Sequence, residues 1–214
     1  MKDKERLSIL IADDHSVVRA GLRQILNDLP KVVSIDEASD GKETVEKACS
    51  RDYDIIILDI AMPGLNGLDA LKEIKKCRPD SVVIVLSMYP EDQYAVRVLK
   101  AGAAGYLTKE SAPDELIDAI EQVIEGKKYL TETMASSVSL ESSRYSRKKP
   151  YSHLSDREFQ VLCLLASGKT ISDIAEELSL SVKTVSTYKT RIFEKMGFKN
   201  STELIKYALE NNLI

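Results

Sequence analysis

The chain has 214 residues, 43% of them hydrophobic and 30% charged, with a formal net charge of -4. That length suits one large domain or two small ones, and two is the better fit. There is no uncharged apolar run of about eighteen residues, and residues 1–6 are charged, so neither a membrane span nor a secretion signal is expected. Cys49, Cys77 and Cys163 are odd in number, widely spaced and set among helix formers, which reads as reduced thiols in a cytoplasm.

In chain order, all-apolar or period-two runs alternate with period-3.6 runs through the first half. They predict strands at 8–12, 32–38, 54–58, 82–86 and 104–107, and helices at 16–27, 41–50, 67–77, 92–101 and 113–125. Five such βα units imply an α/β fold, a parallel sheet with helices on both faces. Gly126 is placed to stop the fifth helix in a left-handed cap. Beyond residue 130 the periodicity fades, and 136–150 is rich in Ser and ends in a basic run, as a flexible linker does. Helical patterns return at 156–166, 171–178, 182–196 and 201–211, enough for a small all-α domain of four helices. The expected boundaries are 1–130, a linker at 131–150, and 151–214. Charge follows them: 1–130 carries 18 Lys+Arg against 24 Asp+Glu, whereas 131–214 carries 12 against 10. The basic helix containing Lys183, Lys189, Arg191 and Lys195 suits phosphate backbones.

Three apolar runs end on groups suited to phosphoryl chemistry: the first on Asp13 and Asp14, the third on Asp59, the fourth on Ser87. If these are neighbouring parallel strands, their ends share the sheet edge at which open α/β folds bind ligands. Three converging carboxylates repel unless a proton or a cation sits among them, and hard oxygen ligands suit Mg2+. Asp59 can then act as a nucleophile toward phosphorus, giving an acyl phosphate. Lys109, just past the fifth strand, can reach a carboxylate or a phosphoryl oxygen, and the Ser87 hydroxyl can bond a phosphoryl oxygen. His15 has no second histidine nearby and reads as a helix cap or as a support to the acid pair.

The set of Asp13-Asp14, D-x-x-M-P-x-x-x-G from Asp59 to Gly67, Ser87, and G-Y-L-T-K from Gly105 to Lys109 resembles a two-component receiver domain over roughly residues 6–128. The resemblance implies a flavodoxin-like, doubly wound sheet in the order 2-1-3-4-5. It also implies Asp59 as phosphoacceptor, Mg2+ held by Asp14, Asp59 and the backbone carbonyl of Ala61, and Asp13 acting through water. Tyr106 would turn inward when Ser87 shifts toward the phosphate. Receivers often follow this lysine with proline; Glu110 stands here instead, which puts the usual cis peptide in doubt.

In the second half, the short joint Ser179-Leu180-Ser181 makes two helices cross as in a helix-turn-helix, with Ser181 as a cap and the second helix free to enter a major groove. Val182, Val185, Ile192 and Met196 are expected to pack on Ile171, Ile174, Ala175 and Leu178. L-S-x-R-E from Leu154 and I-A-x-x-L-x-x-S-x-K-T-V from Ile174 resemble the LuxR-type helix-turn-helix of NarL/FixJ response regulators, over about 151–214. That likeness implies phosphate contacts from Lys183, Thr184 and Lys189, and bases facing Ser186, Thr187 and Thr190; Arg191 shares the outward face. It also implies a dimer contact on the last helix, with Leu204 and Ala208 as candidates. Tyr188 stands where most relatives have histidine.

Together the halves imply a cytoplasmic transcription factor whose partners are a sensor histidine kinase, double-stranded DNA and a second copy of itself, with Mg2+ as cofactor. Two other readings fit parts of the pattern: an aspartate-nucleophile Mg2+ phosphatase, and a regulator whose interactions do not depend on phosphorylation. The first needs an acid two residues after the nucleophile, where Ala61 stands, so turnover of an outside substrate is not expected. The intact set Asp13, Asp14, Asp59, Ser87 and Lys109 argues against the second.

Overall fold

A computed structural model describes residues 6–89, 91–131, 134–135, 150–211 and 213. Backbone contacts divide the chain into two units, Met1–Val138 and Ser139–Ile214, each taken by itself. The first unit runs β1 (Leu7–Ala12), α1 (Ser16–Asn27), β2 (Val32–Ala38), α2 (Gly41–Ser50), β3 (Ile55–Asp59), α3 (Gly67–Cys77), β4 (Val83–Ser87), α4 (Glu91–Lys100), β5 (Gly105–Thr108) and α5 (Ala112–Ile124). The strands form one parallel sheet in the order β2-β1-β3-β4-β5.

β3 and β4 are buried throughout, and apolar up to their last residues Asp59 and Ser87, because helices cover both faces of the sheet. Ile9, Ile11, Ile55, Ile57, Ile84, Leu86 and Leu107 share a core with Leu22 and Leu26 of α1 and Leu116, Ile120 and Val123 of α5. The alternating Leu10, Ile56, Leu58 and Val85 are equally buried toward the other face. Asp40 and Asn66 cap α2 and α3 by accepting from the Glu43 and Asp69 amides. Gly126, at φ 81, takes the left-handed turn expected after α5.

Two of the cysteines depart from the reduced state expected of them: Cys49 and Cys77 form a disulfide, with Cα atoms 5.8 Å apart. The cause lies in the fold, because α2 and α3 pack side by side and both end at the edge of the sheet opposite the strand C-termini. Their last turns therefore bring together thiols 28 residues apart in the chain. Cys163 keeps its thiol, buried in the second unit.

The expected linker lies largely outside the described residues. Just before it Tyr129 bridges to Gly105, and within its described part the Thr131 hydroxyl donates to the Glu91 carboxylate and Met134 is buried.

The second unit has a short 3-10 turn (Pro150–His153), then α6 (Asp156–Ala166), α7 (Ile171–Glu177), α8 (Val182–Met196) and α9 (Ser201–Glu210). Capping boxes start α6 (Ser155 with Glu158) and α7 (Thr170 with Asp173), and Ser181 caps α8 as expected. Phe159, Leu162, Ile174, Leu178, Val185 and Ile192 are buried. Val182 is a correction: as the first residue of α8 it lies outside the packed stripe and is 52% exposed. Leu204 and Ala208 are a second correction, because both are buried in the domain's own core and cannot also face a partner. The apolar residues that α9 leaves in solvent are Ile205 and Leu209.

Glu158, 3% exposed in its side chain, ties α6 to α8 by accepting from Lys195 Nζ at 2.6 and 2.9 Å. Burial pushes its pKa up, but the Lys195 ammonium and the Ser155 amide outweigh burial and hold it below the ordinary value of 4.5. A carboxyl with a depressed folded pKa stabilises fully above its unfolded value and loses that contribution as pH falls through the lowered one. Lys195→Met leaves the buried carboxylate with the Ser155 amide but no cation and should cost about 1–3 kcal/mol at neutral pH. It should also flatten the acid-side loss of stability, read by hydrogen exchange of the α6 and α8 amides in the full chain at neutral and acid pH.

Candidate functional site

Parallel register brings the candidate acids together. Ala12 pairs with Leu58, so the next residues, Asp13 and Asp59, emerge side by side; Asp59 in turn pairs with Leu86, and Ser87 with Thr108. Lys109 follows Thr108 on the same edge, and its amide donates to the Ser87 carbonyl at 2.7 Å. Its Nζ lies 2.7 Å from Asp13 Oδ2 and 2.9 Å from Asp59 Oδ2, both carboxylates being 1% exposed or less. The Lys109–Glu110 peptide is trans.

Burial pushes the Asp59 carboxyl up, Lys109 pulls it down and Asp13 raises it again, leaving it at about 6. Burial alone would depress Lys109, but the two carboxylates facing it raise it instead. One ammonium thus shares two buried acids, and Asp59 Oδ1, also buried, has no hydrogen-bond donor among the described residues. Asp13, Asp14, His15 and Asp59 each present a ligand atom within 4.8 Å of the others. An excess of negative oxygens around an unsatisfied one is what a hard divalent cation would neutralise, so these residues fit Mg2+.

The surrounding loops are pinned by groups that sequence reasoning passed over. Arg19 donates to the Asp13 carbonyl at 2.7 Å and to Glu37 at 2.9 Å, fixing the turn between β1 and α1. A charged side chain one turn into a helix carries no periodic signal that marks it for this role. His15 stands at the N-cap position of α1 but makes no capping bond; its Nδ1 lies 2.7 Å from Asp14 and 3.2 Å from Asp13, so it supports the acids. Gly67 opens α3 directly over Asp59, where a Cβ would come within 1.8 Å of the Asp59 carbonyl oxygen.

Ser87 and Tyr106, the two expected switch residues, meet through Tyr89. The Tyr89 amide donates to Ser87 Oγ at 3.2 Å, and the Tyr106 hydroxyl donates to the Tyr89 carbonyl at 2.6 Å. Tyr106 is fully buried, and burial pushes its hydroxyl pKa well up. The Tyr89 ring stacks on Tyr94 of α4, with centroids 4.8 Å apart.

On α8, Lys183, Thr187, Thr190 and Arg191 are exposed and Thr184, Ser186 and Lys189 partly so. Ser181, Lys183, Thr184, Thr187, Tyr188 and Arg191 line one shallow concavity of about 290 Å3. The hydroxyls of Thr187 and Thr190 donate to carbonyls one turn back, and Lys189 lies 5.5 Å from the centre of the Phe193 ring. Among the described residues, no helix is long and apolar enough to cross a membrane.

Residues 9–121 match the response regulator receiver domain, and 152–208 match the bacterial regulatory proteins of the luxR family. The response regulator UvrY of Escherichia coli K12 is 35% identical over 97% of this chain and 95% of its own. The oxygen regulatory protein NreC of Staphylococcus carnosus is 38% identical over 97% of this chain and 99% of its own. Among solved structures, the two-component response regulator RcsB in complex with DNA aligns with a TM-score of 0.58 at 30% identity, covering 96% of this chain and 98% of that one. Salmonella enterica RcsB bound to the rprA promoter in the presence of the phosphomimetic BeF3- aligns at 0.63 and 28%, covering 94% and 98%.

Gly67→Ala should displace the Asp59 backbone and destabilise the first unit by about 1–3 kcal/mol, since backbone rather than a flexible side chain fills the space. Urea unfolding followed by far-UV circular dichroism measures it, and an unchanged midpoint would mean that the loop between β3 and α3 yields freely.

Proposed function

The chain belongs to the NarL/FixJ response regulators, transcription factors with a receiver and a LuxR-type DNA-binding domain, and on that footing we propose that Asp59 is the phosphoacceptor through which a sensor histidine kinase controls dimerisation and DNA binding. The observation that carries the reading is the pairing of Lys109 with both Asp13 and Asp59 at one sheet edge. An Asp59 oxygen attacks the phosphorus of a phosphohistidine; an O–P bond forms, the N–P bond breaks, and the electron pair leaves with the imidazole nitrogen. Asp13, Asp14, Asp59 and the Ala61 carbonyl would hold Mg2+, which when bound neutralises the crowded oxygens of acceptor and phosphoryl group. Lys109 pairs with the phosphoryl oxygens, and Ser87 turns its hydroxyl to another.

Tyr89 couples that turn to the surface, because Ser87 and Tyr106 hold the two ends of its backbone and its ring lies against α4. Glu91, at the start of α4, bonds Thr131, where the chain leaves for the second unit. Phosphorylation thus shifts a population of arrangements rather than building a new one. Lys183, Thr184 and Lys189 meet phosphates, while Ser186, Thr187, Thr190 and Arg191 face the groove. Ile205 and Leu209 take over from Leu204 and Ala208 as the candidate dimer contact. Such a protein works in the cytoplasm and slowly loses its own phosphate, with no outside substrate turned over.

Asp59→Ala should abolish acid-stable, base-labile labelling by acetyl phosphate with Mg2+ and leave unstimulated DNA binding nearly intact; a chelator should abolish labelling of the unaltered chain. Label retained on the variant would defeat the assignment. Lys183→Ala should weaken DNA binding across sequences and reduce the slope of log affinity against log salt by about 1. An unchanged slope would remove Lys183 from the phosphate contacts.

A further inference from the structure

The cysteine pair at the far edge of the receiver takes no part in the phosphorelay and is bonded in the structure. We infer that Cys49 and Cys77 form a reversible redox site, closed and opened by exchange with low-molecular-weight disulfides and thiols, which staples α2 to α3. Cys77 is exposed at the end of α3 and Cys49 half-buried near the end of α2, so a small disulfide can reach the first and the second can resolve it. The Cα separation of 5.8 Å lies within the range that a disulfide bridges without moving backbone. Lys76 and Arg78 flank Cys77, and Arg78 donates to the Cys49 carbonyl at 3.3 Å while pairing with Asp52 at 2.5 Å. Both cations are already paired, Lys76 with Glu73 at 2.6 Å and Arg78 with Asp52, so the exposure of Cys77 rather than local charge makes it the entry point, its thiolate being the attacking species. Cys163 is buried in the other unit and does not compete.

The exchange balances. The Cys77 thiolate attacks one sulfur of the small disulfide, forming a mixed disulfide and releasing one thiolate. The Cys49 thiolate then attacks the Cys77 sulfur, forming the Cys49–Cys77 bond and releasing the second. The two protein thiols give up two electrons and two protons, and the small disulfide becomes two thiols; excess thiol reverses both steps.

Oxidation would matter beyond its own edge. At their other ends α2 and α3 close on the turn after β3: a Cβ on Gly41 would lie 2.0 Å from the Leu65 carbonyl oxygen, and Gly67 abuts Asp59. The bond therefore joins the two helices that wall this turn.

The test uses the full-length protein equilibrated in glutathione buffers from fully reduced to fully oxidised, quenched with an alkylating agent and mapped by mass spectrometry. Cys49 and Cys77 should lose alkylation together as glutathione disulfide rises, with no lasting glutathione adduct, and regain it when reduced glutathione is restored. Cys49→Ser should instead trap glutathione on Cys77. Four outcomes would each overturn the inference: both thiols alkylating in full glutathione disulfide, a bond persisting in excess reduced glutathione, a stable adduct on Cys77 of the unaltered chain, or no adduct on the variant. The result on the unaltered chain stands even if the variant folds poorly.

Discussion

Two carboxylates buried side by side are held by one ammonium, and the first unit is arranged around that imbalance. Asp13 and Asp59 have little choice of position, because β1 and β3 are parallel neighbours in register and each ends where the hydrophobic run ends. Left alone they would repel in a medium that screens poorly. Lys109 offsets part of the repulsion, and the remaining negative charge is what makes the edge receptive to a cation and then to a phosphoryl group. The fold makes the acids neighbours, and burial gives their charge its reach.

Much of this was legible in the sequence, for physical reasons. The central strands are apolar up to their last residue and the helices between strands are periodic, so each of the five strands and nine long helices described has its ends within a residue of expectation, while the 3-10 turn at Pro150–His153 was not foreseen. Strand ends in a parallel sheet share an edge, so Asp13, Asp59, Ser87 and Lys109 could be gathered before any coordinate was known. Other features depend on contacts that no local pattern records. Cys49 and Cys77 meet only because α2 and α3 lie side by side, and their spacing in the chain carries no trace of it. Leu204 and Ala208 form one side of a helical stripe, but whether that side faces the domain or a partner depends on where α6 lies. Val182 fits the apolar period of α8, yet its place at the first turn leaves it beyond the packed surface. His15 could be set beside the acids, but not denied its capping bond, from sequence alone.

The second unit works by a different economy. Its helices are short, so their ends matter as much as their faces, and Ser155, Thr170, Ser181 and Asn200 each accept from an amide in the first turn. Glu158 serves twice, closing the cap of α6 and anchoring Lys195 of α8. The outward face of α8 is thereby held by bonds on its inward side, which leaves Lys183, Thr187 and Arg191 uncommitted to the domain's own packing.

The segment just past α5 bears on where the receiver ends. Tyr129 lies along Gly105, Thr131 bonds Glu91 and Met134 fills a buried position, so structurally the unit does not stop at the last residue of α5 or at 130. A fragment cut at 130 would strip a carboxylate of its partner and open a hole where the Met134 side chain sat. Anyone dissecting the chain should place the scissors after residue 135, or the severed piece will report on a wound of its own making.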